Sequence, residues 1–214
     1  MKRVLLVVTF LILILIGVIA WKFIFPKKST DQTPPPQGLA VSKHSGEFNQ
    51  SMDNALKAYY SLTESFVNWD TAKVSSSLAS FKIAVDSIRI PEMKKDSAIY
   101  ETASSTWESV KAEIKGMELD TSLYEKREGL NMLSDNLFNL LRVIKYDAAK
   151  VYYHECPMAL NNYEASAFWL SDKGDLESRR NPYLGLHDPK YGKAMLNCGM
   201  TRDSIDFSAA STGK

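Results

Sequence analysis

An all-α protein is predicted by this sequence: an antiparallel four-helix bundle with an irregular C-terminal Cys/Met/Trp module, preceded by an N-terminal transmembrane helix and a Pro-rich linker. Three observations predict it. Apolar residues recur at spacings of three and four over residues 46–151, and the chain opens on a long uncharged apolar run. Beyond Val151 the helical period stops, and both cysteines follow with most of the soft side chains near them.

Composition sets the outer bounds. The chain has 214 residues, 45% of them hydrophobic and 24% charged, and without its first 45 or so it holds enough for one ordinary domain. Lys and Arg total 26 against 25 Asp and Glu, a net charge of +1 with no basic stripe, so nucleic acid is not an expected partner.

Met1, Lys2 and Arg3 precede an apolar run over residues 4–21, and Phe23, Ile24 and Phe25 extend it past Lys22. Roughly 20 such residues span a bilayer core. The run is longer than a cleavable signal's apolar region, so residues 1–26 read as an uncleaved signal anchor, with cleavage after Ala20 as the alternative. Trp21 and Phe25 would sit at the interface, with Pro26 ending the helix. The expected location is a single-pass protein of the cell inner membrane, with its soluble domain in the periplasm. Residues 27–45, with Pro34, Pro35 and Pro36, read as a flexible spacer in which His44 is solvated.

Four helices follow. Phe48, Met52, Leu56, Tyr59, Leu62 and Phe66 mark the first, ending near Asn68. Asp70 is the expected N-cap of the second, whose stripe of Val74, Leu78, Phe81, Val85 and Ile88 stops before Pro91. Ile99, Ala103, Trp107, Val110 and Ile114 mark the third, with Gly116 as its expected stop. Leu123, Leu130, Leu133, Leu137, Leu140, Leu141, Ile144 and Ala148 mark the fourth, which reaches Val151. Short turns between amphipathic helices favour an up-and-down bundle over residues 46–151. A di-iron bundle is excluded because no histidine lies between His44 and His154, and no catalytic site is expected.

Residues 152–207 form the expected metal-binding module, followed by a disordered tail over residues 208–214. His154, Cys156 and Met158 lie within one short stretch, and Met195, Cys198 and Met200 answer it forty residues later. Thiolate and thioether with imidazole are the ligands that suit Cu(I), so these six side chains are the predicted site and Cu(I) its expected ion. The alternative for Cys156 and Cys198 is a disulfide stapling an irregular tail, which would make the protein a non-metal interaction protein of the envelope. Nucleophilic use of Cys156 beside His154 lacks a third orienting group.

The C-terminal blocks carry a resemblance. Cys156-Pro157-Met158, Trp169-Leu170-Ser171, Asn181-Pro182-Tyr183 and Met195-Leu196-Asn197-Cys198-Gly199 resemble the signature of a bacterial envelope domain-of-unknown-function family. The likeness covers roughly residues 48–205, weakly over the helices and specifically over the last third. It departs from the pattern between Tyr183 and Met195, where residues 184–193 insert a second turn around His187, Asp188 and Pro189. Members occur alone or attached to periplasmic adaptors of heavy-metal efflux systems. The resemblance therefore implies an exported accessory protein handling copper or a similar ion, with an efflux adaptor or pump as partner.

Overall fold

The computed structural model describes residues 44–175 and 177–207. The apolar stripes become four α-helices: α1 (Gly46–Val67), α2 (Thr71–Asp86), α3 (Ser97–Leu119) and α4 (Leu123–Ile144), with a 3-10 segment, Ile90–Lys95, between α2 and α3. Each helix starts on a side chain that accepts from its open N–H groups. Ser45 accepts from the Phe48 N–H, Asp70 from that of Lys73, and Asp96 from those of Ala98 and Ile99. Ser122 and Glu125 form a reciprocal capping box at α4. The Gly116 expected to end the third helix lies inside α3.

The all-α fold class is corrected, because residues 151–205 hold a three-stranded antiparallel sheet. β1 (Val151–Leu160), β2 (Ala165–Ser171) and β3 (Met200–Ile205) lie in the order β2-β1-β3, with a second 3-10 segment, Gly192–Asn197, before β3. α4 stops at Ile144, since Lys145 takes a left-handed backbone at φ 53°, and Val151 opens a strand instead of closing a helix. The molecule is thus mixed helix and sheet, and a four-helix bundle with an irregular tail does not describe it.

β1 hides its period because it is covered on both faces. Val151, His154, Glu155 and Cys156 are all buried, so apolar-polar alternation never develops. Pro157 also argues against a central strand, yet it falls where the β1–β2 register shifts, between Cys156 and Leu160, and beyond the stretch that β3 pairs. On the helical side, Tyr153 stacks between Phe138 of α4, at 4.3 Å, and Phe168 of β2, at 5.0 Å, and its hydroxyl donates to Asp135. On the other face His154 and Trp169 lie beneath the segment that follows β2. The His154 Nε2–H donates to the Lys173 carbonyl and the Trp169 Nε1–H to that of Arg179.

The outer edge of β2 is sealed by side chains. The Phe168 N–H donates to Asn131 Oδ1 at 2.8 Å, the Phe168 carbonyl accepts from the Tyr183 hydroxyl, and the Leu170 N–H donates to the Tyr59 hydroxyl at 3.1 Å. Tyr59 in turn donates to Ser134 Oγ at 2.7 Å, which donates to the Leu130 carbonyl. This chain ties α1, α4 and the sheet into one core that includes Phe48, Tyr59, Leu78, Phe81, Leu133, Leu137 and Trp169.

Three further expectations change. His44 is half-buried: it stacks on Phe48 at 4.5 Å and bonds the Lys145 carbonyl at 3.3 Å, so it is not solvated. Among the described residues no helix is long and apolar enough to cross a membrane, and even α3 carries Glu101, Glu108, Lys111, Glu113, Lys115 and Glu118. The single-pass inner-membrane location with a periplasmic body is withdrawn on that finding; the apolar run, residues 27–43 of the spacer and residues 208–214 lie outside the described residues.

Candidate functional site

The six predicted metal ligands do not form a metal centre. Cys156 and Cys198 are joined as a disulfide with Cα atoms 5.6 Å apart, which removes both thiolates. His154 is fully buried and both ring nitrogens are engaged: Nε2–H donates to the Lys173 carbonyl at 2.9 Å, and Nδ1 faces the Thr201 hydroxyl at 3.1 Å. Burial is the main cause that pulls its pKa down to about 4, so the ring is neutral and a weak base at pH 7. Met158 packs half-buried against the core, Met195 is buried in the second 3-10 segment, and Met200 is exposed on β3. Among the described residues no three His, Cys, Asp or Glu side chains could hold a metal ion. The expectation of a metal-binding group is corrected on that ground.

The disulfide has a structural setting. Gly199, next to Cys198, holds φ +124°, and a Cβ there would meet the Glu155 carbonyl oxygen at 2.4 Å and the Trp169 ring at 3.0 Å. Only glycine lets the chain pass this close to β1. The Arg179 guanidinium donates to the Gly199 carbonyl, and the Asn181 N–H donates to the Leu196 carbonyl at 2.7 Å. The covalent loop therefore closes on a segment that is already hydrogen-bonded at several points, and this segment supplies one wall of a pocket on the helical layer.

That pocket, a cavity of about 140 Å³, forms where four separate pieces of chain meet. The α1–α2 turn supplies Trp69, α4 supplies Tyr124 and Arg127, the β1–β2 hairpin supplies Asn161, Asn162 and Tyr163, and the stapled segment supplies Leu184 and Asp188. Gly185 seats the last wall, because at φ +57° its missing Cβ makes room for the Val67 carbonyl, which accepts from the Leu186 N–H at 3.0 Å.

Several of these residues are held in uncommon backbone conformations. Trp69 has φ 53°, and Asn161, Asn162 and Tyr163 have φ 49°, 53° and 73° in succession. Left-handed backbone at bulky residues is strained and persists only where surrounding contacts impose it. Here they do: the Trp69 Nε1–H donates to the Leu184 carbonyl at 3.0 Å, and the Tyr163 hydroxyl donates to Asp188 at 3.0 Å.

Arg127 is the chemical centre of the pocket. It is only 7% exposed, its guanidinium lies 4.1 Å from the Trp69 ring centroid, and its Nε and Nη2 atoms are buried without a hydrogen-bond partner. Burial draws its pKa down to about 10, opposed by the nearby Asp188 carboxylate, so it remains charged at neutral pH. Asp188 does not bond it: one oxygen takes the Tyr163 hydroxyl and the other the N–H groups of Lys190 and Tyr191.

Sequence reasoning passed over Arg127, although a signal was present. It stands four residues after Leu123 and three before Leu130, on the apolar stripe of α4, where a cation has no reason to sit unless something inside requires it. Trp69, Tyr163 and Asp188 carry no such signal, because only the fold brings them to one place. No protein-family model, no curated protein and no solved structure matches the chain, so the resemblance of its C-terminal blocks rests on those residues alone.

Proposed function

We propose that the protein is a non-catalytic binding module, in which a disulfide-stapled C-terminal layer completes a small receptor pocket on a helical scaffold. The observation that carries this reading is the pocket itself: four distant segments converge beside a buried arginine stacked on Trp69, and strained backbone is held in place to form the walls. Both thiols and the His154 imidazole are consumed structurally. Both cysteines are in the disulfide, and His154 is buried as a neutral ring whose one accepting nitrogen is too weakly basic to serve as a general base at neutral pH. The disulfide supports the same reading, since it fixes the segment that carries Leu184 and Asp188 without supplying chemistry.

The test is a ligand screen on the full-length oxidised protein, read as a shift in Tm, run beside protein that has been reduced and alkylated. Ligand-induced stabilisation in the oxidised form, lost on reduction, is expected. Thiol-dependent turnover of an ester or disulfide substrate that appears on reduction would replace the binding reading with a catalytic one.

A further inference from the structure

We infer that the cavity beside Trp69 receives one six-membered sugar ring, its C–H face laid on Tyr124 and its hydroxyls bonded to the side-chain amides of Asn161 and Asn162. This deepens the binding reading above by naming the ligand class, and it rests on that reading.

The aromatic surface is the first argument. Trp69, Tyr124, Tyr163 and Tyr183 line the cavity, and three of these rings already have partners. Trp69 carries the Arg127 guanidinium and meets His187 edge-to-face; Tyr163 has the Lys190 ammonium 5.2 Å from its centroid and meets Tyr191 edge-to-face; Tyr183 is buried against Trp169. Tyr124 is different. On the first turn of α4 it is 47% exposed, and among the described residues no ring or cation packs on it. The open face of such a ring carries partial negative charge, which attracts the weakly positive C–H groups on one side of a sugar ring.

The polar surface is the second. Asn161 and Asn162 line the same cavity from an adjoining wall and are exposed, at φ 49° and 53°. Asparagine tolerates left-handed backbone because its side chain can hydrogen-bond locally, yet here the backbone closes the turn by itself: the Glu164 N–H donates to the Leu160 and Asn161 carbonyls, each at 3.1 Å. Neither side-chain amide has a hydrogen-bond partner among the described residues. Each offers two donors and an acceptor, which complements hydroxyl groups that both donate and accept. The Tyr163 bond to Asp188 pins this hairpin, so both amides stand on backbone that is fixed before a ligand arrives.

Charge and size narrow the ligand. Arg127 offers no fork to the cavity, since its Nε and Nη2 are closed off from water and its face lies on Trp69. Both Asp188 oxygens are taken, by the Tyr163 hydroxyl and by the N–H groups of Lys190 and Tyr191. A neutral ligand therefore suits the site better than an ion. A purely apolar one would strip water from the two amides and return no hydrogen bond. The cavity of about 140 Å³ equals roughly four to five water volumes at about 30 Å³ each, room for one ring and no second. A free monosaccharide and a unit of a longer glycan share this chemistry.

The experiment uses full-length oxidised protein and known probes: glucose, mannose and N-acetylglucosamine, their tetramers cellotetraose, mannotetraose and chitotetraose, sodium acetate at equal ionic strength, and a capped tetra-alanine peptide. Binding is followed by the side-chain amide resonances of Asn161 and Asn162, assigned in the wild-type protein through their own backbone signals. At least one sugar is expected to move both in a saturable way, with acetate and the peptide moving neither. Tyr124→Ala should weaken that binding at least tenfold and Tyr124→Phe should leave it within twofold, since stacking needs the ring and not the hydroxyl. Asn161→Gly and Asn162→Gly, which suit the left-handed backbone and remove one amide each, should also weaken it; if neither folds, the wild-type resonances and the Tyr124 pair decide. A tetramer binding tenfold tighter than its monomer assigns the site to a glycan, and a smaller difference assigns it to the single sugar. Resonances that no sugar moves, or that the peptide or acetate moves as well, overturn the inference, as does sugar binding that Tyr124→Ala leaves unchanged. In that case a Tm shift from other ligands in the broader screen would leave the binding-module reading standing.

Discussion

At the residue scale, the most informative side chain is one that a metal site would have needed and the fold uses otherwise. His154 is buried neutral, with its pKa near 4 against an ordinary 6.5, chiefly through desolvation. Arg179 pushes the same way, while Asp175 and the Lys173 carbonyl push back. The sign follows directly. Between these two values the unfolded chain binds a proton that the folded chain refuses, so stability is full above about pH 6.5 and falls as pH drops toward 4. The loss reaches about 3 kcal/mol once both states are protonated. Urea unfolding measured from pH 7 to 4 should show this decline, and His154→Gln should flatten it. An identical slope in the variant would place the acid sensitivity elsewhere.

At the element scale, the sheet survives as an edge-capped layer rather than a closed one. β2 would expose a row of backbone donors and acceptors, but Asn131, Tyr183 and Tyr59 occupy them, whereas β3 protects its own edge with a register shift beside Arg202 and an ion pair from that residue to Glu155. Replacing Tyr59 by Phe should cost about 1–3 kcal/mol, because the Leu170 N–H is then buried without an acceptor. Hydrogen exchange at Leu170 should rise well above that at Trp169, which pairs toward β1. Uniform exchange across β2 in the variant would show that the hydroxyl does not hold the edge. The same elements explain what was legible in the sequence. Helices α1 to α4 were, since each has one wet face and hence a 3.6-residue period, and Asp70 was readable as a cap. The strands were not. β1 is covered by Phe138 on one side and by the segment after β2 on the other, β3 is largely exposed, and the bulge at Pro157 removes the remaining alternation. The pairing of Cys156 with Cys198 was legible only as one of two uses for nearby sulfur, and Arg127 only as an oddity on an apolar stripe.

At the scale of the whole molecule, the disulfide decides whether the C-terminal layer is part of one cooperative unit. It joins positions 42 residues apart, and closing a loop of that length in the unfolded chain stabilises the native state by about 4 kcal/mol on the chain-entropy model. For a chain of this size that corresponds to a fall in Tm of roughly 10 °C when the bond is lost. The larger consequence is spatial. The closed loop contains Arg179, Asn181, Tyr183, Gly185 and Asp188, which between them hold Gly199, cap β2, seat against α1 and pin Tyr163. A Cys156→Ser/Cys198→Ser variant should therefore lose more than stability: at a temperature where it is still helical by circular dichroism, its residues 172–199 should become open to protease before α1 to α4 do. The strained hairpin at Asn161, Asn162 and Tyr163 should relax in the same step, because Asp188 no longer arrives in register to hold the Tyr163 hydroxyl. Proteolysis that begins in the helical layer, or a Tm unchanged between the variant and the oxidised protein, would mean that hydrogen bonds alone secure this layer and that the covalent link is dispensable to the pocket.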